Sequence, residues 1–376
     1  MNKFVTAALA AAVLGSAAQA DPGDSDWLEL DSEINNLASS LGPAQDGSGW
    51  SALIRANYTL STDDIATGVG GSDVAGFELD DVDLAFWGSV GDYGWRIGFD
   101  VDGNTGSSLM LEDALVYWDC GELFTATMGQ FKPRVVQSGY VDPGNQIMID
   151  RTVLGALFDF WDMGVGAAGA WENINWSASY HNGADGDTND SLYVGRAELV
   201  MGEAAGSSNL AALTEGALGG SEELSGTAGA AIVHDDSLGG GLGSSTSVFF
   251  DINGNVGPIG FGGEIGALGN LSGNVGIPVT SPDFSNQPLG LTVEDSSTPW
   301  ALTGSYLLSP EFEVSARFQD LDNGMFGDNT IFSLGVSWYQ SEHNAKWMAG
   351  WSLFDASSGM PDGSIFQVGV VVGASR

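Results

Sequence analysis

From Phe77 to Phe131 polar and apolar residues change places every second position. Val82, Leu84 and Phe86 fall on one side, and Asp81 and Asp83 on the other. Trp95, Ile97, Phe99 and Val101 share a face opposite Arg96, Asp100 and Asp102. A period of two is that of a strand with one greasy and one wet side. The connectors also alternate: Gly91-Asp92 is short, 103–108 longer, Cys120-Gly121 short again. Hairpins with alternating short and long connectors predict a transmembrane antiparallel β-barrel.

Extended along the chain, the pattern predicts about sixteen strands, at 50–61, 76–90, 93–102, 109–119, 123–131, 157–171, 174–182, 191–200, 227–234, 246–252, 258–268, 298–308, 312–321, 330–340, 345–354 and 364–372. An even number returns both termini to one side of a bacterial barrel. The lipid faces read Ile54, Ala56, Tyr58, Leu60, then Ile174, Trp176, Ala178, Tyr180, then Phe332, Leu334, Val336, Trp338, and so on to Phe366, Val368, Val370 and Val372. Many tryptophans fall near strand ends, where interfacial girdles form. The Met201–Gly226 connector breaks the rhythm. It should be a short turn, and holds either an insertion or an unrecognised strand pair. The alternative fold is a secreted or surface β-rich protein used for adhesion or structure. That fold would need all these apolar faces to meet in one core.

Residues 1–20 carry the marks of a secretory signal: Lys3, the apolar run Phe4–Leu14, and Ala18-Gln19-Ala20. The run is too short for a membrane helix. Residues 21–47 hold a helical stripe, Leu30, Ile34, Leu37 and Leu41. It would serve as a lumen plug, a rim element, a self-association helix or a loose tail. The barrel is expected over 48–376, exported and multi-pass in the bacterial outer membrane.

Composition sharpens this. The net charge is −39, from 49 acidic against 10 basic residues. Phosphate backbones would repel such a chain, which excludes nucleic acid as a partner. One cysteine, Cys120, makes no internal disulfide. His181, His234 and His343 are far apart, and no metal-ligand spacing is present, so no enzyme and no cofactor are expected. Asp63-Asp64, Asp235-Asp236 and the Asp185–Asp190 stretch are of a type that binds Ca²⁺ in outer loops, though solvated loop tips look the same.

Several runs resemble the phosphate-selective porin O/P family of outer-membrane channels. They are Leu-Glu-Asp-Ala-Leu-Val-Tyr at 111–117, Met-Gly-Gln-Phe-Lys-Pro at 128–133 and Ile-Asp-Arg at 149–151. The likeness covers residues 77–152. It implies a sixteen-stranded, trimeric porin whose third long loop, here Lys132–Ala156, folds inward and narrows the pore. Phosphate-selective members line the pore with many basic residues. This chain has nine beyond Lys3, so phosphate selectivity is not carried over.

The candidate channel-lining residues come from strand parity and from that loop. Arg55, Arg96, Arg196 and Arg317 fall on lumen sides, while Lys132, Arg134 and Arg151 bracket the constriction. Asp81, Asp83, Asp100, Asp113, Asp142, Asp150 and Glu313 are their acidic counterparts. One reading is a basic wall facing an acidic loop, a transverse field that filters ions. The other is that the inward arginines pair locally with acids. The expected function is passive diffusion of ions and small hydrophilic solutes, with a lean towards cations from the acidic loops. Screening over ~8 Å at physiological salt confines that effect to lining charges.

Overall fold

The computed structural model describes residues 48–62, 74–102, 108–121, 124–183, 191–202, 214–219, 222–236, 244–269, 297–322, 329–356 and 363–375. The expected signal at 1–20, the 21–47 segment, Asp63-Asp64 and 185–190 lie outside the described residues.

Sixteen antiparallel strands close into a barrel in which each strand pairs with its neighbours in sequence and β1 pairs with β16. They are β1 Gly49–Thr62, β2 Val74–Val90, β3 Tyr93–Asp102, β4 Ser108–Asp119, β5 Thr125–Phe131, β6 Asp162–Trp171, β7 Ile174–His181 and β8 Leu192–Met201. The second half runs β9 Ser225–Asp235, β10 Ser245–Val256, β11 Ile259–Ala267, β12 Trp300–Ser309, β13 Phe312–Asp320, β14 Asn329–Ser341, β15 Ala345–Ala356 and β16 Gly363–Ser375. Closure leaves no strand edge with unpaired backbone groups, which hydrocarbon would not tolerate.

The two faces separate cleanly. On β14, Phe332, Leu334, Val336 and Trp338 are between 39% and 42% exposed, while Ile331, Ser333, Ser337 and Tyr339 are buried. The exposed set matches the apolar face read from the sequence. On β1 the outward Ile54 and Leu60 alternate with buried Leu53, Arg55, Asn57 and Ser61. No helix of the described residues is long and apolar enough to cross a membrane.

Three details depart from the sequence reading or resolve it. The strand expected at 157–171 begins only at Asp162. Residues 153–157 instead form a short helix, because Thr152 Oγ1 accepts the Gly155 N–H at 2.9 Å and caps it. Leu154 and Leu157 of that turn are buried in an apolar cluster with Leu192, Phe249 and Phe354. No barrel strand intervenes at Met201–Gly226, since β8 pairs directly with β9 and Met201 lies opposite Gly226. Among the described residues of the connector, 202, 214–219 and 222–224, none is in a strand.

Two β-bulges shape the inward face of β2 and β4. One puts Asp80 and Asp81 against Arg55, and the other puts Glu112 and Asp113 against Gly98. A bulge sets two residues against one and breaks the alternation locally. A Cβ on Gly98 would sit 3.2 Å from that of Asp113, so the site is crowded.

Candidate functional site

The β5–β6 connector, residues 132–161, is the centre of the site. It contains a single-turn helix α1 (Gln137–Tyr140), a 3₁₀ turn at Pro143–Asn145, and the helix α2 (Val153–Leu157). Asp142 is the cap of the middle turn, its Oδ1 accepting the Gly144 N–H at 2.8 Å.

Buried side chains from much of the barrel converge on this connector. Arg55 of β1 donates to Ile149 O at 2.6 Å and to Gln146 Oε1 at 3.3 Å. Arg196 of β8 donates to Val135 O at 2.8 Å. Arg317 of β13 donates to Asp150 O at 2.7 Å, and Lys346 of β15 donates to Gln146 O. Ser337 of β14 reaches Ile147 O at 3.1 Å, and Gln319 of β13 accepts the Val153 N–H at 2.8 Å. A segment that meets the buried face of β1, β8, β13, β14 and β15 together lies inside the barrel. The internal apolar contacts agree, with Ile149 packing against Leu53, Met348 and Val371.

Eight basic residues are described, and six of them donate to main-chain carbonyls between residues 135 and 150: Arg55, Lys132, Arg151, Arg196, Arg317 and Lys346. A backbone carbonyl inside a protein needs a donor, and a guanidinium supplies several in a fixed fork. The scarce cations of this chain therefore act as pins. Their charge is met locally. Arg196 forks onto Asp251 of β10 at 2.6 and 2.7 Å and reaches Glu198 at 2.7 Å. Arg55 pairs with the bulged Asp80 and with Asp81 at 2.6 Å. Lys132 and Arg151 share Asp159, the second at 2.7 Å. Burial works against the charge on Asp159, but Arg151 and Lys132 outweigh it and hold the carboxyl below its usual range.

The remaining candidates read from the sequence occupy several places. Arg96, with a half-exposed side chain, bonds Asp113 at 2.6 Å, and the Trp161 indole donates to the same carboxylate. Arg134 is inside, and burial lowers its pKa despite Tyr140 and Glu198 nearby. Glu313 accepts from Tyr339 O–H at 2.7 Å and from the Ala217 N–H at 2.6 Å. Asp83 lies near Asp81, Asp100, Glu112 and Asp142, the last on the loop. Carboxylates of β2, β3 and β4 thus stand close to Asp142 of the loop. The basic wall facing an acidic loop, one of the two readings of the sequence, is not what these contacts describe. Arg55, Arg196 and Arg317 have their forks filled by loop carbonyls and acids. The wall that remains is acidic.

Sequence reasoning missed Asp80, Glu112, Asp159, Glu198, Asp251, Glu215 and Lys346. Adjacent acids at 80–81 and 112–113, breaking an otherwise strict alternation, were the available sign of the bulges. The three histidines lie on separate elements: His181 on β7 beside Ser179, His234 on β9 between Thr246 and Asp236, and His343 in the β14–β15 turn. Of the acidic outer stretches, Asp235-Asp236 is described, and Asp236 accepts from His234 at 3.1 Å. No group of three metal-binding side chains occurs among the described residues.

His343 yields a pH prediction. Burial, then the neighbouring Lys346, pushes its imidazole down to about 3, while a contact with Gly144 of the loop acts the other way. The folded state then binds fewer protons than the unfolded one below about pH 6.5. Stability present above that pH is lost as the pH falls towards 3. Melting followed by circular dichroism should drop between pH 7.5 and 4.5, and drop less in His343→Gln.

No family model matches the chain, and no curated protein matches it in sequence. Solved structures do match in fold. An anion-selective porin from Comamonas acidovorans superposes with a TM-score of 0.62 at 11% identity, over 87% of this chain and 99% of that one. The trimer form of OmpT, an outer-membrane protein of Vibrio cholerae, gives 0.56 at 12% identity, over 87% and 99%. A mutant of the Rh. blastica porin gives 0.52 at 12%, over 87% and 100%. This chain has the porin fold. The resemblance to the phosphate-selective O/P family rests on the sequence runs at 111–117, 128–133 and 149–151 alone.

Proposed function

We infer that the barrel is an outer-membrane channel for passive diffusion of ions and small hydrophilic solutes, and that it favours cations. The outward apolar belt supports a seat in lipid, with the short turns on the periplasmic side. The observation that carries the selectivity is the division of labour among charges. Six of the eight described cations are bonded to loop carbonyls, whereas Asp83 and Glu112 of the opposite wall carry no ion pair among the described residues. A permeating ion responds to lining groups within a screening length, and the lining side chains left without a cationic partner here are acidic. The sign is opposite to that named for the Comamonas acidovorans porin.

A homotrimer is part of the same proposal, supported by the fold shared with the trimer form of the Vibrio cholerae protein. No catalytic step and no cofactor are invoked. Purified protein in a planar bilayer should give stepwise openings. Across a salt gradient the reversal potential should carry the cation-selective sign. Smooth bilayers without steps would refute the channel, and an anionic sign would refute the selectivity.

A further inference from the structure

The pore loop is held by a second segment that enters the barrel from the opposite, short-turn end. Residues 214–217 of the β8–β9 connector lie against the inward faces of β10, β11 and β13. Asn253 Nδ2 donates to Thr214 O at 3.2 Å, and the Ala217 N–H donates to Glu313 at 2.6 Å. Gly216 has φ of +90°, and a Cβ there would meet Glu313 Oε1 at 2.7 Å and Ile147 Cδ1 at 2.8 Å. Only a residue without a side chain can pass there.

Glu215 makes the joint. Its N–H donates to Asn145 O at 2.9 Å, and its Oε2 accepts the Ile147 N–H at 3.1 Å. The same oxygen lies 3.5 Å from Arg317, which pins Asp150. One residue thus holds both sides of the loop tip and touches one of the cationic pins. Loop, segment and the β10–β12 wall together line a small cavity of about 40 Å³.

We propose that Glu215 is a positioning residue for the constriction: a latch, brought in from the inner mouth, that fixes the loop tip and so sets the width of the acidic path. The proposal rests on the reading of the barrel as a channel. Its test separates the two. Hydrogen exchange of the 141–150 region is measured on the full chain in detergent, and single-channel conductance and reversal potential in bilayers. In Glu215→Ala the Ile147 amide loses its charged acceptor, and the region should exchange about tenfold faster. Conductance should rise with larger open-channel noise. Glu215→Gln keeps an oxygen for that amide and should restore most of the protection. Glu222→Ala, exposed on the same connector, should change nothing. Asn253→Ala removes only the Thr214 contact and should shift exchange less, in the same direction. It keeps the test decisive if Glu215→Ala does not fold. Unchanged exchange in the folded variants overturns the latch. Faster exchange with wild-type conductance and reversal potential overturns its control of the pore. A wild-type protein that passes no current refutes the channel reading while exchange still decides the latch.

Discussion

Arg196→Ala should lower the stability of the barrel by about 3–5 kcal/mol, read as a shift in the unfolding midpoint in lipid vesicles. Arg196 is almost wholly buried, and so are Asp251 and Glu198, which it bridges. Truncating it leaves two carboxylates without their counterion and strips the donor from Val135 O. The penalty comes mainly from those stranded charges, because the intact group spends much of its Coulomb attraction on desolvation. A triple change, Arg196→Met with Asp251→Leu and Glu198→Gln, should therefore recover most of the loss. If Arg196→Ala unfolds like the wild type, these groups are far better hydrated than their burial indicates.

Reversing two carboxylates on the free wall should invert the ion preference. Asp83→Lys with Glu112→Lys puts two cations where two acidic side chains stand, and the reversal potential in a salt gradient should change sign. Glu172→Lys, in the exposed β6–β7 turn, alters net charge but lies at a barrel end, where salt screens it. Its reversal potential should stay near that of the wild type. Equal effects from both variants would mean that the total charge of −39, and not the constriction, sets selectivity.

The fold was largely readable from alternation because each strand must show hydrocarbon one side and water the other. Phe332 to Trp338 declare their outward face through every second residue, and the structure places them there. Turns were readable where Gly91 or Gly257 adopts positive φ. The site was half readable. Parity correctly sent Arg55, Arg196 and Arg317 inwards, but parity says nothing of what lies at the end of a side chain. Their partners are backbone carbonyls of a segment with no period of its own. Asp80 and Glu112 were missed because a bulge suspends the alternation that would have placed them. The start of β6 was misplaced because the apolar run at Leu154–Phe158 suits a buried turn as well as a strand.

The pins have a consequence for the order of assembly. Lys346 and Gln146 are 200 residues apart, Ser337 and Ile147 190, and Arg317 and Asp150 167, while Arg55 reaches Ile149 from the other end of the chain. Contacts of such long range form late, since the chain between them must first be ordered. Until β1 meets β16, the loop has no complete socket. A nascent barrel should pass through a stage with sheet already complete and the interior still wet, and the final slow event should be the settling of residues 135–150 onto their donors.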